Sequence, residues 1–535
     1  MLLKNFTGIL SVDLKTKLEK RPEFPVLTFE RYPAPDEVIT YFELMLKGNK
    51  IAKALKKRGV GKGDIFSVVM RNQPELVMTL YAASSLGALM NPIDPRITEE
   101  MLIYQFKNSN SKGVIFSADF MKPMANVLRN IPEVEPIGVL YKNESEAEIS
   151  YNYPSLNEIL SGPESFGLVD RSYDIDEPIM LIYTSGTTGN PKGVIIRAGR
   201  FQNYLMRAQQ VFHYTEEDLL YTGLPLTHAN AYAVTLIPSL LMSIPAVISY
   251  KFTKTRIWNI CRKHGCTTFS LLGGMMMGIY SEPILPNDGD NPVRLVISAG
   301  TPKSIWEAFE RRFNVKIHEW YGSVEGGFAH KAPAIGPIGS FGKPLEGQME
   351  FKVMREDDTE CTPGEIGELI CRNLKGGTKV EYYGDREASE AKTCGGWLHT
   401  GDMVHKDKEG WYYFDYRKGS SLRRQGEFIY PDLVEKAIAE NLDVIDVCVY
   451  GVPAKSGSPG ECDLVAAVVV QPGKILDIKG IFRNCVAVLP KNSVPSYIQV
   501  VTEIPKTGSQ KNLERILRET FKKDSPNIYQ FEKIV

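Results

Sequence analysis

The segment Leu181-Ile-Tyr-Thr-Ser-Gly-Thr-Thr-Gly-Asn-Pro-Lys-Gly193 runs from an apolar strand pattern straight into a loop of hydroxyls, glycines and one lysine. Gly186 and Gly189 let the backbone bend and bring its N–H groups close to an anion. Thr184, Ser185, Thr187 and Thr188 add hydroxyl donors and Lys192 adds a cation. These are the parts needed to hold a triphosphate tail. In the Walker A pattern the lysine follows glycine and precedes Ser or Thr. Here Lys192 follows Pro191 and precedes Gly193, so a kinase or P-loop NTPase is not supported. An ordinary surface loop is the bland alternative, and the apolar strand leading directly into this ordered run argues against it.

Working outward, strand and helix patterns alternate on both sides. Leu46–Arg58 carries apolar residues at helical spacing and ends at Gly59. Asp64–Met70 predicts a strand, a helix follows from near Pro74, and Lys112–Phe116 predicts the next strand. Strands are expected again at Met180–Tyr183, Ala246–Tyr250, Thr268–Leu271 and Val293–Ser298. This alternation indicates parallel α/β layers. From about Gly336 to Phe414 short strands with Gly and Pro turns predict a β-rich subdomain. Beyond Arg417 comes a helix (Tyr430–Ala439), two strands (Asp446–Val452, Asp463–Val470) and a helix near Ile478–Val488. The expected fold is therefore α/β: a large N-terminal domain, 1–418, of parallel-rich layers plus the β-rich subdomain, and a small α+β C-terminal domain, 419–535.

A chain of 535 residues is too long for one hydrophobic core. Its 43% hydrophobic and 24% charged content is that of a soluble globular protein. The formal net charge of −1 gives no global field for nucleic acid or an anionic membrane. Eight cysteines without a CxxC pair or metal-ligand spacing predict reduced thiols in a cytoplasmic setting. The apolar stretch Ala231–Tyr250 contains Pro238 and Pro245, which favours a buried helix and strand over a membrane span. The amino terminus lacks the apolar run of a signal peptide.

The Leu181–Gly193 run resembles the signature loop of the adenylate-forming superfamily, which includes acyl-CoA synthetases, peptide-synthetase adenylation domains and luciferases. Further motifs follow in the family's order along nearly the whole chain. Trp320-Tyr-Gly-Ser-Val-Glu-Gly326 resembles its Tyr-Gly-x-Thr-Glu motif. The resemblance implies that Tyr321, beside Gly322, stacks on adenine and that Glu325 holds Mg²⁺ on the phosphates. An aromatic face and a hard carboxylate suit those tasks. Val324 stands where relatives usually have threonine. Ser298-Ala-Gly-Thr-Pro302 resembles the turn that accepts the adenine ring at Gly300 and Thr301, although alone it reads equally as a plain strand-to-helix turn.

Trp397-Leu-His-Thr-Gly-Asp402 is similar to the family's Thr-Gly-Asp motif, implying that Asp402 accepts the ribose hydroxyls, with Arg417 as a second ribose or phosphate contact. Arg417–Glu427 resembles the hinge about which relatives rotate the small domain. The alignment puts the hinge at Gly419 and a pantetheine-side turn at Gly426-Glu427. Arg423 and Arg424 are either CoA-phosphate contacts or a solvated basic loop. Pro505-Lys-Thr-Gly-Ser-Gln-Lys511 resembles the terminal lysine motif, placing Lys511 on the reacting carboxylate and α-phosphate, with Gln510 replacing glycine and Lys506 competing for the role. Leu224-Pro-Leu-Thr-His228 matches the segment where relatives place a histidine or aromatic beside the acyl pocket, so His228 is read as orienting the carboxylate or as structural. Thr227, Ala229, Gly273 and Gly274 are further pocket candidates; Met275–Met277 are either an adaptable apolar wall or core packing.

The resemblance implies an acid–CoA ligase that uses ATP, Mg²⁺ and CoA, with catalytic residues Lys511, Glu325, Thr184 and His228. Texture around Tyr250–Trp258 and Tyr412–Asp415 resembles the carnitine/crotonobetaine–CoA and fatty-acid–CoA ligase branch. A modular peptide synthetase is not expected, because no carrier domain follows Val535. Loading of a free-standing carrier protein is the first alternative. A nucleotide-binding regulator without turnover, supported only by Val324, Gly419 and Gln510, is the second. The expected partners are a small carboxylic acid and CoA, with no nucleic acid and no membrane span, and a homodimer left open.

Overall fold

The computed structural model describes residues 6–141, 152–163, 173–184, 191–375, 377–418, 422–424, 427–454, 462–506 and 512–534. Two parallel-rich sheets form the large N-terminal part. The six-stranded sheet runs Glu135–Leu140, Gly113–Ser117, Ile65–Val69, Leu89–Ile93, Pro178–Thr184 and Lys192–Arg197, with only the last strand antiparallel. The nine-stranded sheet has a parallel centre, Lys316–Tyr321, Leu295–Ala299, Thr268–Leu272, Leu220–Thr222, Ala246–Ser249 and Pro25–Glu30. Antiparallel strands close both of its edges.

Local chemistry accounts for the elements. The helix Tyr41–Lys57 begins one turn before the predicted one because Thr40 and Glu43 form a reciprocal capping box. Pro74 starts the helix Pro74–Leu86, where its missing N–H is harmless, and Gly87 ends it in the left-handed conformation. The stretch Ala231–Ser249 is a π-helical turn, a short helix and a strand, all buried, as its prolines predict. Among the described residues no helix is long and apolar enough to cross a membrane. All eight cysteines are free thiols.

The β-rich subdomain is a four-stranded antiparallel sheet: Met349–Met354, Gly367–Asn373, Leu398–Lys406 and Tyr412–Arg417. Beyond it, Val444–Pro453, Cys462–Val470, Tyr497–Val501 and Ile528–Gln530 form a mixed sheet. Pro431–Ala439 and Ile478–Val488 pack on it around their own apolar cluster, which includes Val434, Ile438, Phe482 and Ile498. The α/β architecture is the expected one, with several strands the sequence did not suggest.

Asn72 joins the two large sheets. It follows the strand Ile65–Val69 and is 3% exposed. Its amide nitrogen donates to the carbonyls of Leu224 and Ser249 at 2.9 Å each, and its oxygen accepts from the Leu226 N–H at 2.7 Å. Leu224 and Leu226 follow one strand of the other sheet and Ser249 ends another, so one side chain closes three buried backbone groups across the seam. Removing it would leave all three unsatisfied. Asn72→Ala is expected to lower stability by about 3 kcal/mol in chemical denaturation. Asn72→Asp should be at least as damaging, since it sets a carboxylate oxygen against two carbonyls. Wild-type midpoints for both variants would contradict this.

Candidate active site

The strands Pro178–Thr184 and Lys192–Arg197 pair with Thr184 opposite Lys192, so these two residues frame the phosphate loop. Ser185, Gly186, Thr187 and Thr188 lie outside the described residues, as do Gly419, Gly426, Gln510 and Lys511. The Thr184 hydroxyl donates to Glu325 Oε1 at 3.3 Å, and the Tyr382 hydroxyl donates to the same oxygen at 3.1 Å. Burial and the facing Glu325 charge raise the Tyr382 phenol. No motif pointed to Tyr382. Lys192 rests on Asp385 at 2.6 Å, with its ammonium 5.5 Å from the Tyr382 ring. That ion pair is partly exposed on both sides, so a phosphate can compete for the lysine at little cost.

A second cluster comes from the β-rich subdomain. Asp402 and Arg417 sit directly opposite one another on adjacent strands. Asp402 accepts from the Tyr321 hydroxyl at 2.5 Å, and Arg417 Nε lies 3.6 Å from its other oxygen. Burial raises the Asp402 carboxyl, opposed by Arg417 and Tyr321. The Tyr321 ring packs against Phe341 with centroids 4.7 Å apart. Arg417 Nε is buried without a hydrogen-bond partner among the described residues, so the guanidinium remains available to a ligand oxygen.

Gly300 and Thr301 form a turn built on a buried carboxylate. Glu319 accepts from the Gly300 N–H at 2.7 Å and from the Thr301 N–H and hydroxyl. Gly300 has φ +78°. Its carbonyl comes so close to Gly273 that a Cβ there would lie 1.9 Å from the oxygen, so Gly273 is needed for packing. Met275 and Met276 are buried in the core, which decides their role in favour of packing.

His228 stands in the loop after Leu220–Thr222. Its Nδ1 accepts from the Asn230 N–H at 3.2 Å, which puts the ring proton on Nε2. Burial pulls the imidazole down to about 4, so it is neutral at pH 7. Thr184, Gly322, Glu325, Arg417, His228, Thr227 and Ala229 all line one cavity of about 520 Å³. That size suits a small-molecule site. The cavity is also lined by Arg200, Arg207 and Asn230, none of which sequence reasoning picked out, and by Trp320, which opens the Trp320–Gly326 motif without an assigned role.

Two other candidates are committed elsewhere. Lys506 pairs with Asp446 at 2.7 Å and is mostly buried, so it is held within the C-terminal sheet. Arg424 donates to the carbonyls of Asn492 and Val494 at 3.0 and 2.6 Å, which removes it as a free phosphate contact. The side chain of Arg423 lies outside the described residues.

Thr184 and Glu325 thus share a cavity with a neutral His228, and the Asp402–Tyr321–Arg417 cluster flanks it. The chain belongs to the AMP-binding enzyme family: residues 14–376 match the AMP-binding enzyme domain and 433–511 the AMP-binding enzyme C-terminal domain. It is 26% identical to rat (Rattus norvegicus) long-chain fatty acid transport protein 2 over 96% of this chain and 85% of that protein. It is also 26% identical to crotonobetaine/carnitine–CoA ligase of Salmonella agona over 92% of this chain and 95% of that enzyme. The solved anthranilate CoA ligase, in complex with anthranoyl-AMP, superposes with a TM-score of 0.80 at 22% identity, covering 95% of this chain and 96% of that one. At that identity the likeness establishes the fold.

Burial lifts Glu319 to about 7, opposed by its bonds from Thr301 and Gly300. An unfolded glutamate titrates near 4.3, so between these values the folded form binds the extra proton. The stabilisation from this group is complete at low pH and is lost as pH rises through about 7. Glu319→Gln, a neutral isostere, should therefore show a smaller fall in Tm between about pH 6 and pH 8.5 than the wild type. An equal fall in both would refute the buried-charge account.

Proposed function

We propose that the protein is an acid–CoA ligase: it joins a carboxylic acid to the α-phosphate of ATP with release of pyrophosphate, then transfers the acyl group to CoA with release of AMP. The observation that carries this reading is the single cavity in which Thr184 and Glu325 share walls with His228. A phosphate-handling end and a histidine-marked end are thereby continuous, which acyl transfer to a nucleotide requires.

The Glu325 carboxylate, fixed by Thr184 and Tyr382, is a hard oxygen ligand. It fits Mg²⁺, which takes one or two carboxylates and fills its remaining positions with phosphate and water oxygens. When bound, that ion supplies charge neutralisation to the triphosphate. Thr184 and the loop 185–190, with Lys192, are assigned to the leaving pyrophosphate. Tyr321, Gly322, Gly300 and Thr301 are assigned to adenine, and Asp402 and Arg417 to the ribose and α-phosphate. His228, neutral with its proton on Nε2, donates a hydrogen bond to the acid's carboxylate without neutralising the nucleophile. Lys511 is assigned the bridging cation between carboxylate and α-phosphate, a role left to it once Lys506 is held by Asp446. Domain 419–535, turning at Gly419, would withdraw Lys511 and admit the CoA thiol near Gly426.

The test is incubation of the full chain with ATP, Mg²⁺, CoA and a panel of carboxylic acids, reading acyl-CoA by mass and pyrophosphate release. Lys511→Ala should lower pyrophosphate formation by ~10²-fold or more yet still transfer a supplied acyl-adenylate to CoA. Pyrophosphate without thioester would move the acceptor to a carrier protein. ATP binding without either product would favour a regulator.

His228→Ala should lower kcat/KM for the acid by about tenfold, in line with loss of one hydrogen bond to a charged group, and His228→Asn should recover part of it. Because His228 stays neutral above about pH 5, the rate should show no inflection from it between about pH 6 and pH 9. An inflection near 6.5 that vanishes in His228→Ala would overturn this assignment.

A further inference from the structure

The helix Gly199–Gln210 presents Arg200, Tyr204 and Arg207 at i, i+4 and i+7, and all three line the cavity. Such spacing sets them on one helix face. Arg312 is the contrasting case, closed by Asp288 at 2.7 Å and by three carbonyls. Arg207 has no such set of partners. Its guanidinium lies 4.0 Å from the Phe328 ring centroid, its Nε is buried, and among the described residues it has no carboxylate or carbonyl partner. Burial and the neighbouring Arg200 charge bring it down to about 10, so it still carries its charge at pH 7. Arg200 likewise has no ion-pair partner among the described residues.

Two more cavity-lining groups share the same condition. Asn230 is 2% exposed, and neither its amide nitrogen nor its oxygen has a partner among the described residues. The Trp320 indole N–H is also buried and has no partner among the described residues. The two carboxylates on the cavity wall are committed elsewhere: Asp94 to Arg96 at 2.9 Å, and Glu325 to Thr184 and Tyr382. Arg207, half-buried with its Nε enclosed, and two neutral donors therefore line this cavity without an anion to meet them. A sheltered guanidinium without an anionic partner is costly, and a purely apolar acyl tail would desolvate it further without compensation. A quaternary ammonium tail would add repulsion. A carboxylate would satisfy the guanidinium by charge-assisted bonds.

Resting on the ligase reading above, we propose that the acid this enzyme activates carries a second anionic group, a second carboxylate in the simplest case, held by Arg207 and Asn230 with Arg200 adding flanking charge. Neither the long-chain fatty acid nor the crotonobetaine or carnitine in the relatives' names carries such a group. Arg207 and Asn230 act as specificity-determining residues: they set which acid enters, and His228 and Lys511 attend to the carboxylate that reacts.

The experiment compares carbon-matched pairs, succinate with butyrate, glutarate with pentanoate, adipate with hexanoate and phthalate with 2-methylbenzoate, in the ATP- and CoA-dependent assay with the full chain. The wild type should favour at least one diacid over its matched monoacid by ~10²-fold or more in kcat/KM, as expected when a buried polar site is left unpaired by the lesser substrate. Arg207→Met should reverse that preference by lowering the diacid and raising the monoacid, with KM for ATP unchanged. If Arg207→Met melts early, Arg200→Met and Asn230→Ala should each narrow the preference. Acyl-CoA formed from monoacids in preference to every diacid would overturn the proposal and leave the ligase reading standing. So would an Arg207→Met variant that slows both acids equally or raises KM for ATP, since the guanidinium would then serve packing or the nucleotide. No product from any acid would remove the ligase reading and this inference with it.

Discussion

The Asn72 carboxamide is the joint on which the site depends. The six-stranded sheet contributes Thr184 and the phosphate loop; the nine-stranded sheet contributes the loops that carry His228 and Glu325. These walls belong to separate sheets, and hydrophobic packing alone sets their spacing only loosely. Asn72 fixes it through three directional bonds, two of them to the segment Leu224–Leu226 just before His228. A hydrogen-bonded amide buried in an apolar seam specifies one alignment, because any slip leaves polar groups without partners. The reach from Thr184 to His228 is thus set at a position that touches no substrate.

Around that joint the protein distributes charge in two ways. Carboxylates that shape the backbone are closed off, as Glu319 is by the Gly300–Thr301 turn. Groups facing the cavity are left incompletely satisfied: Arg417 meets Asp402 only at 3.6 Å, and Arg207 meets an aromatic face. A ligand with oxygens at those points gains charge-assisted bonds without breaking strong ones. Lys192 falls between the two cases, since its bond to Asp385 is short but partly solvated.

Much of this was legible in the sequence, for reasons that can be named. The strand Pro178–Thr184 was legible because an apolar run is a local feature, while the loop 185–190 that follows it lies outside the described residues. The strand Leu89–Ile93 was missed because Asn91 and Pro92 interrupt its pattern. In the structure Asn91 donates to Ser67 on the adjoining strand at 2.9 Å, a solution invisible along the chain. Pro25–Glu30 was missed because its parallel partner, Ala246–Ser249, lies more than two hundred residues away, and Glu37–Thr40 is a short edge strand that pairs only with it. Tyr382 and Glu319 belong to no motif, and only folding brings them to Glu325 and Gly300. Arg200 and Arg207 did carry a signal, cations seven residues apart on one helix face. That spacing alone does not separate a solvated face from a pocket wall.

The proposed swing of the C-terminal domain has to be reconciled with the contacts that hold the present arrangement. Asp432, at the start of the helix Pro431–Ala439, accepts the Arg417 N–H at 3.0 Å. Tyr416 and Tyr430 stack with centroids 3.9 Å apart, and Lys436 lies 3.6 Å from Asp415. A neutral aromatic pair contributes about 1 kcal/mol, and a half-exposed ion pair less. The hydrogen bond to Asp432 adds about 1–2 kcal/mol, offset by the burial that raises that carboxyl. Together these ties amount to a few kcal/mol. Differential binding of a charged nucleotide and CoA can supply as much between two poses. The apolar clusters on either side are separate and each internally continuous, but the helix Gly273–Tyr280 meets the strand Val444–Pro453 across the junction, and rotation near Gly419 would have to release that contact. On the proposed reading, the junction holds one pose through ties that differential substrate binding would have to offset.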